Sequence, residues 1–433
     1  ERLKKKPQLE RILSLLEAHF KTADGDAEIW DFHGVSAEEV RRLLRSIPAK
    51  SSSGPDGISN RLIKDFENSI IHVLTDIINM SLLSGKFPIE WRIAKVMPIF
   101  KGRGNRNDPD SYRPVAMTSN LGKVVEAAFR LQMKQQLEER QILPEALFGF
   151  RSGRSTADAI NNVLDCVKDK LADGKKVAVI ALDASSAFNL LSRELVIETL
   201  KIVGAGPLLV RWLSTFLSDR YSYVEIESKR SWTWLVDVGV PEGGLASPDE
   251  YGIGSISLAL WSKVSESTLY ADDTCEVVWA DSSAECHARS QEVADNLADW
   301  FTCAGLSLNP KKSEYIPFNY DPGPISVEGI QVEPKKHFKF LGCHIQADLG
   351  WKTHVNETVK KMRKNAARIR LEGRNVGRQE RKVLYYAWVH SHIMCNAAAY
   401  LPFLGTNQIN ELQTAANAGV RAVCRLPKRG QAP

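Results

Sequence analysis

The sequence predicts an α+β fold, on three observations. Short runs of β-forming residues recur between helical patterns up to about residue 345. From about residue 352 onward every periodic segment has helical spacing. No internal repeat or low-complexity tract appears, which sets aside solenoids and arrays. At 433 residues the chain is too long for one compact core, and its length alone suggests about three lobes. Strands interrupted by helices, followed by an all-helical tail, fit a body with a helical appendage.

Each element follows from local pattern. Residues 8–20 and 36–46 carry helical periodicity, and Ser36 with Glu39 has the spacing of a capping box. SSSGPDG at 51–57 is a loop, because Gly-Pro and Asp-Gly break both regular patterns. Residues 60–85 read as one helix, and WRIAKVMPIF at 91–100 as a strand with Pro98 at its end. A basic loop follows (Lys101, Gly102, Arg103, Gly104, Arg106), leading into SYRP, and 118–140 is a helix. VAVIAL at 177–182 is the strongest strand and ends at Asp183. Helices at 192–202 and 207–217 precede a hairpin of YVEIE and WTWLVDV, which alternate near period two. STLYADDTCEVVW at 267–279 has the pattern of a tight hairpin with Asp272 and Asp273 at its tip. A helix at 283–304 gathers Val293, Leu297, Trp300, Phe301 and Ala304 on one face, with Gly305 suited to end it, and short strands fill 313–345.

Composition excludes several classes. With 43% hydrophobic and 25% charged residues, the chain is an ordinary globular one and not a disordered segment. No stretch approaches about 18 uninterrupted apolar residues, so no membrane span is expected. The start, Glu1 then Arg2, Lys4, Lys5 and Lys6, lacks the apolar region of a signal peptide and reads as a segment of a longer product. Seven scattered cysteines with no CxxC pair suggest reduced thiols in an intracellular compartment. The net charge is only +5, from 57 basic and 52 acidic residues, so the informative question is where the base lies.

The sharpest chemical feature is a set of carboxylates. Asp183 ends an apolar strand, and Asp272 and Asp273 cap a hairpin, where carboxylates are costly unless cations satisfy them. Three convergent Asp side chains can hold two Mg²⁺ ions about 4 Å apart, the clamp for in-line nucleotidyl transfer. One ion would activate a primer 3′-hydroxyl and the other would neutralise a triphosphate leaving group, with Mn²⁺ as a substitute. The plainer explanation is that hairpin turns favour Asp for their own reasons. The base has an address too: residues 352–382 hold eleven Lys or Arg against three Glu. Val355, Val359, Met362, Ala366 and Ile369 recur at heptad-like spacing, so one face docks and Lys360, Lys361, Arg363, Lys364, Arg368 and Arg370 stay largely free. Such a helix can grip the phosphates of an A-form duplex, and Arg421, Arg425, Lys428 and Arg429 extend the track. His390, His392 and Cys395 make only half a zinc site, with no second ligand pair at usable spacing. The sequons at Asn79 and Asn356 matter only in a secreted protein, and no P-loop, nucleophile elbow or nuclease motif is present.

At this point the chain resembles the reverse transcriptase of non-LTR (LINE-type) retrotransposons, over nearly its whole length. SSSGPDGI (51–58), WRIAKVMPIFK (91–101), SYRPVAMTS (111–119) and FGFRSGRST (148–156) resemble that family's early motifs. LDASSAF (182–188), GVPEGGLASP (239–248) and YADD (270–273) look like its motifs A, B and C. GLSLNPKKS (305–313) and FKFLGCHI (338–345) resemble motifs D and E. Each is weak alone; their order makes the resemblance specific.

The resemblance implies a right-hand polymerase: an N-terminal helical extension (1–50), fingers (51–176), a palm of antiparallel sheet and helices (177–350) and a basic helical thumb (351–433). By position, Asp183, Asp272 and Asp273 would be the catalytic metal ligands, and Lys312, or Lys311 beside it, a proton donor to pyrophosphate. Phe188 would be the steric gate that favours dNTPs, Arg113 and Lys101 would contact the triphosphate, and Gly243 would admit close approach of template or nucleotide. The partners implied are an RNA template, a DNA primer, dNTPs and other domains of a larger polyprotein, with no membrane and with action in the nucleus. Several positions depart from the family pattern. Glu242 and Gly244 stand where Gln and Ser are usual, Asn189 stands where Asp is, and Asp249, Glu250 and Tyr251 replace an apolar helix start. Glu cannot donate the amide hydrogen bond and repels a triphosphate. These departures motivate a second reading, a catalytically weak or silent RNA-binding scaffold. A third, an RNA-templated RNA polymerase or group II intron-type relative, is opposed by Phe188.

Overall fold

The computed structural model describes residues 8–20, 29–49, 52–227, 229–262 and 264–427. They form a mixed α/β protein that divides into two compact units. The first comprises Glu1–Phe150, Ala184–Lys263 and Asn296–Asn309; the second comprises Arg151–Asp183, Val264–Asp295 and Pro310–Pro433.

In the first unit, the helix Ala37–Ser46 starts as its sequence dictates. Ser36 Oγ accepts from the Glu39 amide, and the Ser36 amide donates to the Glu39 carboxylate at 2.8 Å. The single helix expected over 60–85 is instead two, Asn60–Asp65 and Glu67–Ser84, because Phe66 leaves helical geometry at φ −102°, ψ 10°. The second helix ends at Gly85 in the left-handed region, where glycine has no Cβ to clash. The sheet of this unit runs Tyr112–Met117, Ile93–Phe100, Arg220–Ile226, with Lys229–Arg230 and Trp234–Val236 paired to the last. The first pair is antiparallel and the second parallel. Pro98 does not end its strand; it lies opposite Pro114, and two residues without N–H groups fit a pair that exchanges no hydrogen bonds. Beneath lies an aromatic core in which Trp212 stacks on Phe129 (4.0 Å) and Phe216 (5.3 Å). All three are fully buried, and the Trp212 indole N–H donates to Ser81 Oγ.

The second unit is built on an antiparallel sheet ordered Glu314–Pro317, Lys176–Ser185, Asp273–Ala280, Ser265–Tyr270. Val177, Ala178, Val179, Ile180 and Leu182 are all buried, which explains a continuous apolar run in place of alternation. The strand does not stop at Asp183 but runs on to Ser185, because Ala184 and Ser185 find ladder partners in Leu308 and Ser307. Two small hairpins follow, Ile325–Val327 with Ile330–Val332 and His337–Phe340 with Cys343–Gln346. The helix Lys352–Glu372 then buries Val355, Val359, Met362, Ala366 and Ile369, the face its spacing predicts, and packs along Thr406–Val423. No helix among the described residues is long and apolar enough to cross a membrane.

The first unit also carries buried charge that its hydrophobic pattern hides. Glu126 and Glu250 are essentially inaccessible, and Arg220 is 4% exposed. Neither carboxyl oxygen of Glu250 has a hydrogen-bond partner of ordinary geometry. Burial, then the neighbouring Glu126, push the Glu250 carboxyl up to about 8, with Arg220 acting against them. Such a group retains its proton in the native state at pH values where the unfolded chain has released it. Its stabilisation is therefore complete below the unfolded value of about 4.3 and is lost as pH rises towards about 8. We predict that Glu250→Gln flattens this dependence. Thermal melts should show the variant's Tm advantage over wild type growing from about pH 5 to about pH 8; a constant difference would refute the assignment.

Candidate active site

The four residues expected to carry chemistry at the carboxylate set lie together in the second unit. Tyr270 pairs with Asp273, so the hairpin loop is only Ala271 and Asp272. Ala271 takes φ +54°, a conformation such a tight turn demands of a non-glycine residue. Asp272 is thus at the tip, as expected. Asp273 is not: it is the first residue of the strand Asp273–Ala280 and faces Asp183 directly across the ladder. Lys312 Nζ donates to Asp183 Oδ2 at 2.8 Å, so of the two adjacent lysines it is Lys312 that reaches the set.

Asp183, Asp272 and Asp273 crowd negative charge into one place, and Lys312 reaches it. Asp273 registers it: burial first, then Asp272 and Asp183, push its carboxyl up to about 6, against the pull of Lys312. Hard oxygen donors and crowded negative charge suit a divalent cation of the Mg²⁺ type. As the side chains stand, no group of three His, Cys, Asp or Glu among the described residues is arranged to hold a metal ion, so Asp183 would have to exchange Lys312 for one.

The residues expected to handle the nucleotide lie in the first unit. Lys101 Nζ donates to the Asp110 carbonyl at 2.8 Å, and Arg113 is exposed on the strand Tyr112–Met117. Phe188 is half-buried in the short helix Ala187–Leu190, and its carbonyl accepts from the Val240 amide at 2.9 Å. This ties it to the loop of residues 239–246. On its other side the loop docks on a strand, with the Ala116 amide donating to the Glu242 carbonyl at 2.8 Å. Gly243 has φ +119°, and a Cβ there would stand 2.7 Å from the Ala116 carbonyl oxygen, so only glycine fits.

The departures from the family pattern acquire physical reasons. At Gly244 a Cβ would lie 2.7 Å from Ser247 Oγ, so a serine there would require that hydroxyl to turn away from the Pro241 carbonyl it donates to. Asn189 Nδ2 donates to Glu242 Oε2 at 3.3 Å. The two departures are therefore partners, and an amide facing a carboxylate keeps one donor, one acceptor and one negative charge. Both border a cleft of about 490 Å³ that Pro114, Arg193 and Arg220 also line. Asp249 pairs with Arg130. Sequence reasoning missed Glu126, whose carboxylate accepts from the Leu245 amide at 2.8 Å and so holds the same loop. Its signal was present: a lone carboxylate on the apolar face Val124, Val125, Ala128, Phe129.

Of the basic residues on Lys352–Glu372, Lys361, Arg363 and Lys364 are exposed as expected. Lys360 and Arg368 are exposed too, Lys360 pairing with Glu357 and Arg368 with Glu372 and the Trp388 ring, while half-buried Arg370 donates to the Leu426 carbonyl. The face is less free than a helical projection implies, since i,i+3 and i,i+4 acids occupy part of it. Lys428 and Arg429 lie outside the described residues.

The model of the family described as reverse transcriptase (RNA-dependent DNA polymerase) matches residues 101–345, more than half of the chain. A probable RNA-directed DNA polymerase from transposon BS of Drosophila melanogaster is 24% identical over 407 residues, covering 91% of this chain and 45% of the relative. The RNA-directed DNA polymerase from mobile element jockey of the same species is 25% identical, covering 77% of this chain and 38% of its own length. A Pol polyprotein from the type-1 retrotransposable element R1 of Bradysia coprophila is 25% identical, covering 73% and 32%. The chain thus spans less than half the length of these relatives. The resemblance read from the ordered motifs is borne out: the chain belongs to the reverse transcriptase (RNA-dependent DNA polymerase) family, among relatives from non-LTR retrotransposons.

Proposed function

We propose that this chain is the polymerase core of a retroelement protein, extending a primer 3′-end on an RNA template with dNTPs. The observation that carries the proposal is the placement of Asp183 opposite Asp273, beside Asp272, with Lys312 reaching in. Asp183, Asp272 and Asp273 would hold two Mg²⁺ ions, or Mn²⁺ in their place. When bound, such ions lower the pKa of a primer hydroxyl and neutralise charge on the triphosphate. Lys312 Nζ, displaced from Asp183, would supply a proton to the departing pyrophosphate. Arg113 and Lys101 would bind the triphosphate, Phe188 would exclude the ribose 2′-hydroxyl, and Gly243 would admit close approach of the nucleotide. The proposed hand follows the sequence divisions: extension 1–50, fingers 51–176, palm 177–350 and thumb 351–433. Lys360, Lys361, Arg363, Lys364, Arg368 and Arg370 would form the duplex track. The wider setting proposed is a larger polyprotein acting in the nucleus.

One observation favours a second reading, a silent RNA-binding scaffold: Asp183 is already satisfied by Lys312. Primer extension on poly(rA)/oligo(dT) separates the two. Under the polymerase reading, Asp272→Asn lowers Mg²⁺-dependent synthesis by about a hundredfold or more; synthesis that survives the substitution would sink it. RNA binding by wild type with no extension, even with Mn²⁺, selects the scaffold.

The Asn189–Glu242 pair gives a second expectation. Asn189→Asp alone sets two carboxylates face to face and should weaken extension by about tenfold, mostly through dNTP KM. Adding Glu242→Gln restores a donor and should recover most of the loss. Steady-state kinetics of the four-member cycle measure it, and additive losses would show that the pair is not coupled.

The exposed basic face gives a third. Replacing Lys361, Arg363 and Lys364 together with Ala should flatten the dependence of log affinity for an RNA–DNA duplex on log salt by roughly 2. Fluorescence anisotropy across a salt series reads the slope; an unchanged slope would remove these residues from the duplex track.

A further inference from the structure

We propose that Tyr251 and Phe150 are positioning residues for sugar discrimination, bracing the Phe188 ring so that it cannot yield to a 2′-hydroxyl. The inference rests on the reading of Phe188 as the gate. A steric gate excludes an added oxygen only as far as its ring resists displacement, and an unsupported phenylalanine can swing about two side-chain torsions. Phe188 is not unsupported. The Tyr251 ring stacks on it, with centroids 5.1 Å apart and planes at 29°. Phe150 meets it edge-on, at 6.5 Å and 80°. The backbone is fixed too, because the Val240 amide donates to the Phe188 carbonyl.

Each brace is itself held. Tyr251 is 2% exposed, within the helix Ser247–Gly254. That helix is anchored by the Arg130–Asp249 ion pair. It also lies so close to the chain just after Phe188 that a Cβ on Gly254 would come 2.8 Å from Leu191 Cδ1. Phe150 takes φ +60°, a conformation that bulky residues rarely adopt, and Lys134 Nζ donates to its carbonyl. A strained backbone that persists because its surroundings hold it is what a fixed aromatic contact requires. Within the unusual run Asp249, Glu250, Tyr251, the first residue thus seats the helix and the third stacks on the gate.

Single-nucleotide primer extension with a dNTP and the matching rNTP gives the ratio of their kcat/KM values. Phe188→Ala should lower this ratio most. Tyr251→Leu and Phe150→Leu should each lower it by roughly two- to tenfold, the scale of one aromatic contact, through a gain in rNTP use. Tyr251→Phe keeps the ring and should keep the wild-type ratio. If Phe188→Ala admits rNTPs while both leucine variants discriminate as wild type, the brace is overturned and the gate stands. If Phe188→Ala leaves the ratio unchanged, the gate reading falls and the brace with it. Loss of discrimination in Tyr251→Phe equal to that in Tyr251→Leu would assign the effect to the hydroxyl and overturn the stacking argument. Should Tyr251→Leu fold poorly, the 38% exposed Phe150 tests the brace alone. A wild type that extends with neither nucleotide overturns the proposed function together with this inference.

Discussion

Carrying carboxylates on a buried sheet is the constraint around which the second unit is organised. The strand Lys176–Ser185 is apolar because both of its faces are covered, yet it sets Asp183 opposite a second carboxylate. Mutual repulsion and desolvation both oppose ionisation there, and the rise of Asp273 to about 6 is their combined signature. The ammonium of Lys312 pairs with Asp183 there. Beside the set, the two-residue turn that carries Asp272 puts Ala271 into a left-handed conformation. Strain and repulsion thus fall at one spot, with the surrounding sheet ordinary and well packed, which is the pattern the proposed function draws on.

The first unit meets an analogous difficulty differently. Several of its ionisable groups hold the loop of residues 239–246 and the helix that follows it. Glu126 takes the Leu245 amide, Arg193 takes the Gly239 carbonyl and Arg130 seats the following helix through Asp249. A loop rich in glycine has little side-chain packing to define it, so its shape must come from polar contacts and from exclusion by close neighbours. Gly243 against the Ala116 carbonyl and Gly239 against the Asn189 carbonyl are those neighbours.

Much of this was legible in the sequence, for identifiable reasons. Helix starts were readable where a side chain caps the backbone, as at Ser36, and buried strands were readable where apolar residues run without a break. The carboxylates were readable because Asp is costly in such places. What escaped was what depends on distant pairing. The strand runs past Asp183 because of partners more than a hundred residues away, and Pro98 survives inside a strand because Pro114 is opposite. The break at Phe66 has no strong local signal. Glu242 and Asn189 looked like independent defects until the fold placed one amide against one carboxylate. The basic helix was read correctly for its buried face, and too generously for its free one, since acids a turn away are invisible to a simple charge count.

The interleaving of the two units has a consequence for how the chain comes to exist. The first unit needs residues Asn296–Asn309 for completion, and the second spans from Arg151 to the end. During synthesis neither can close when its first stretch emerges. The parallel pairing of Ile93–Phe100 with Arg220–Ile226 alone spans more than a hundred residues of chain. Long-range closure of this kind is slow, because loop entropy is lost before contacts compensate it. For much of translation these strands wait for partners that are not yet made, the circumstance in which unpaired edges are most open to misassociation.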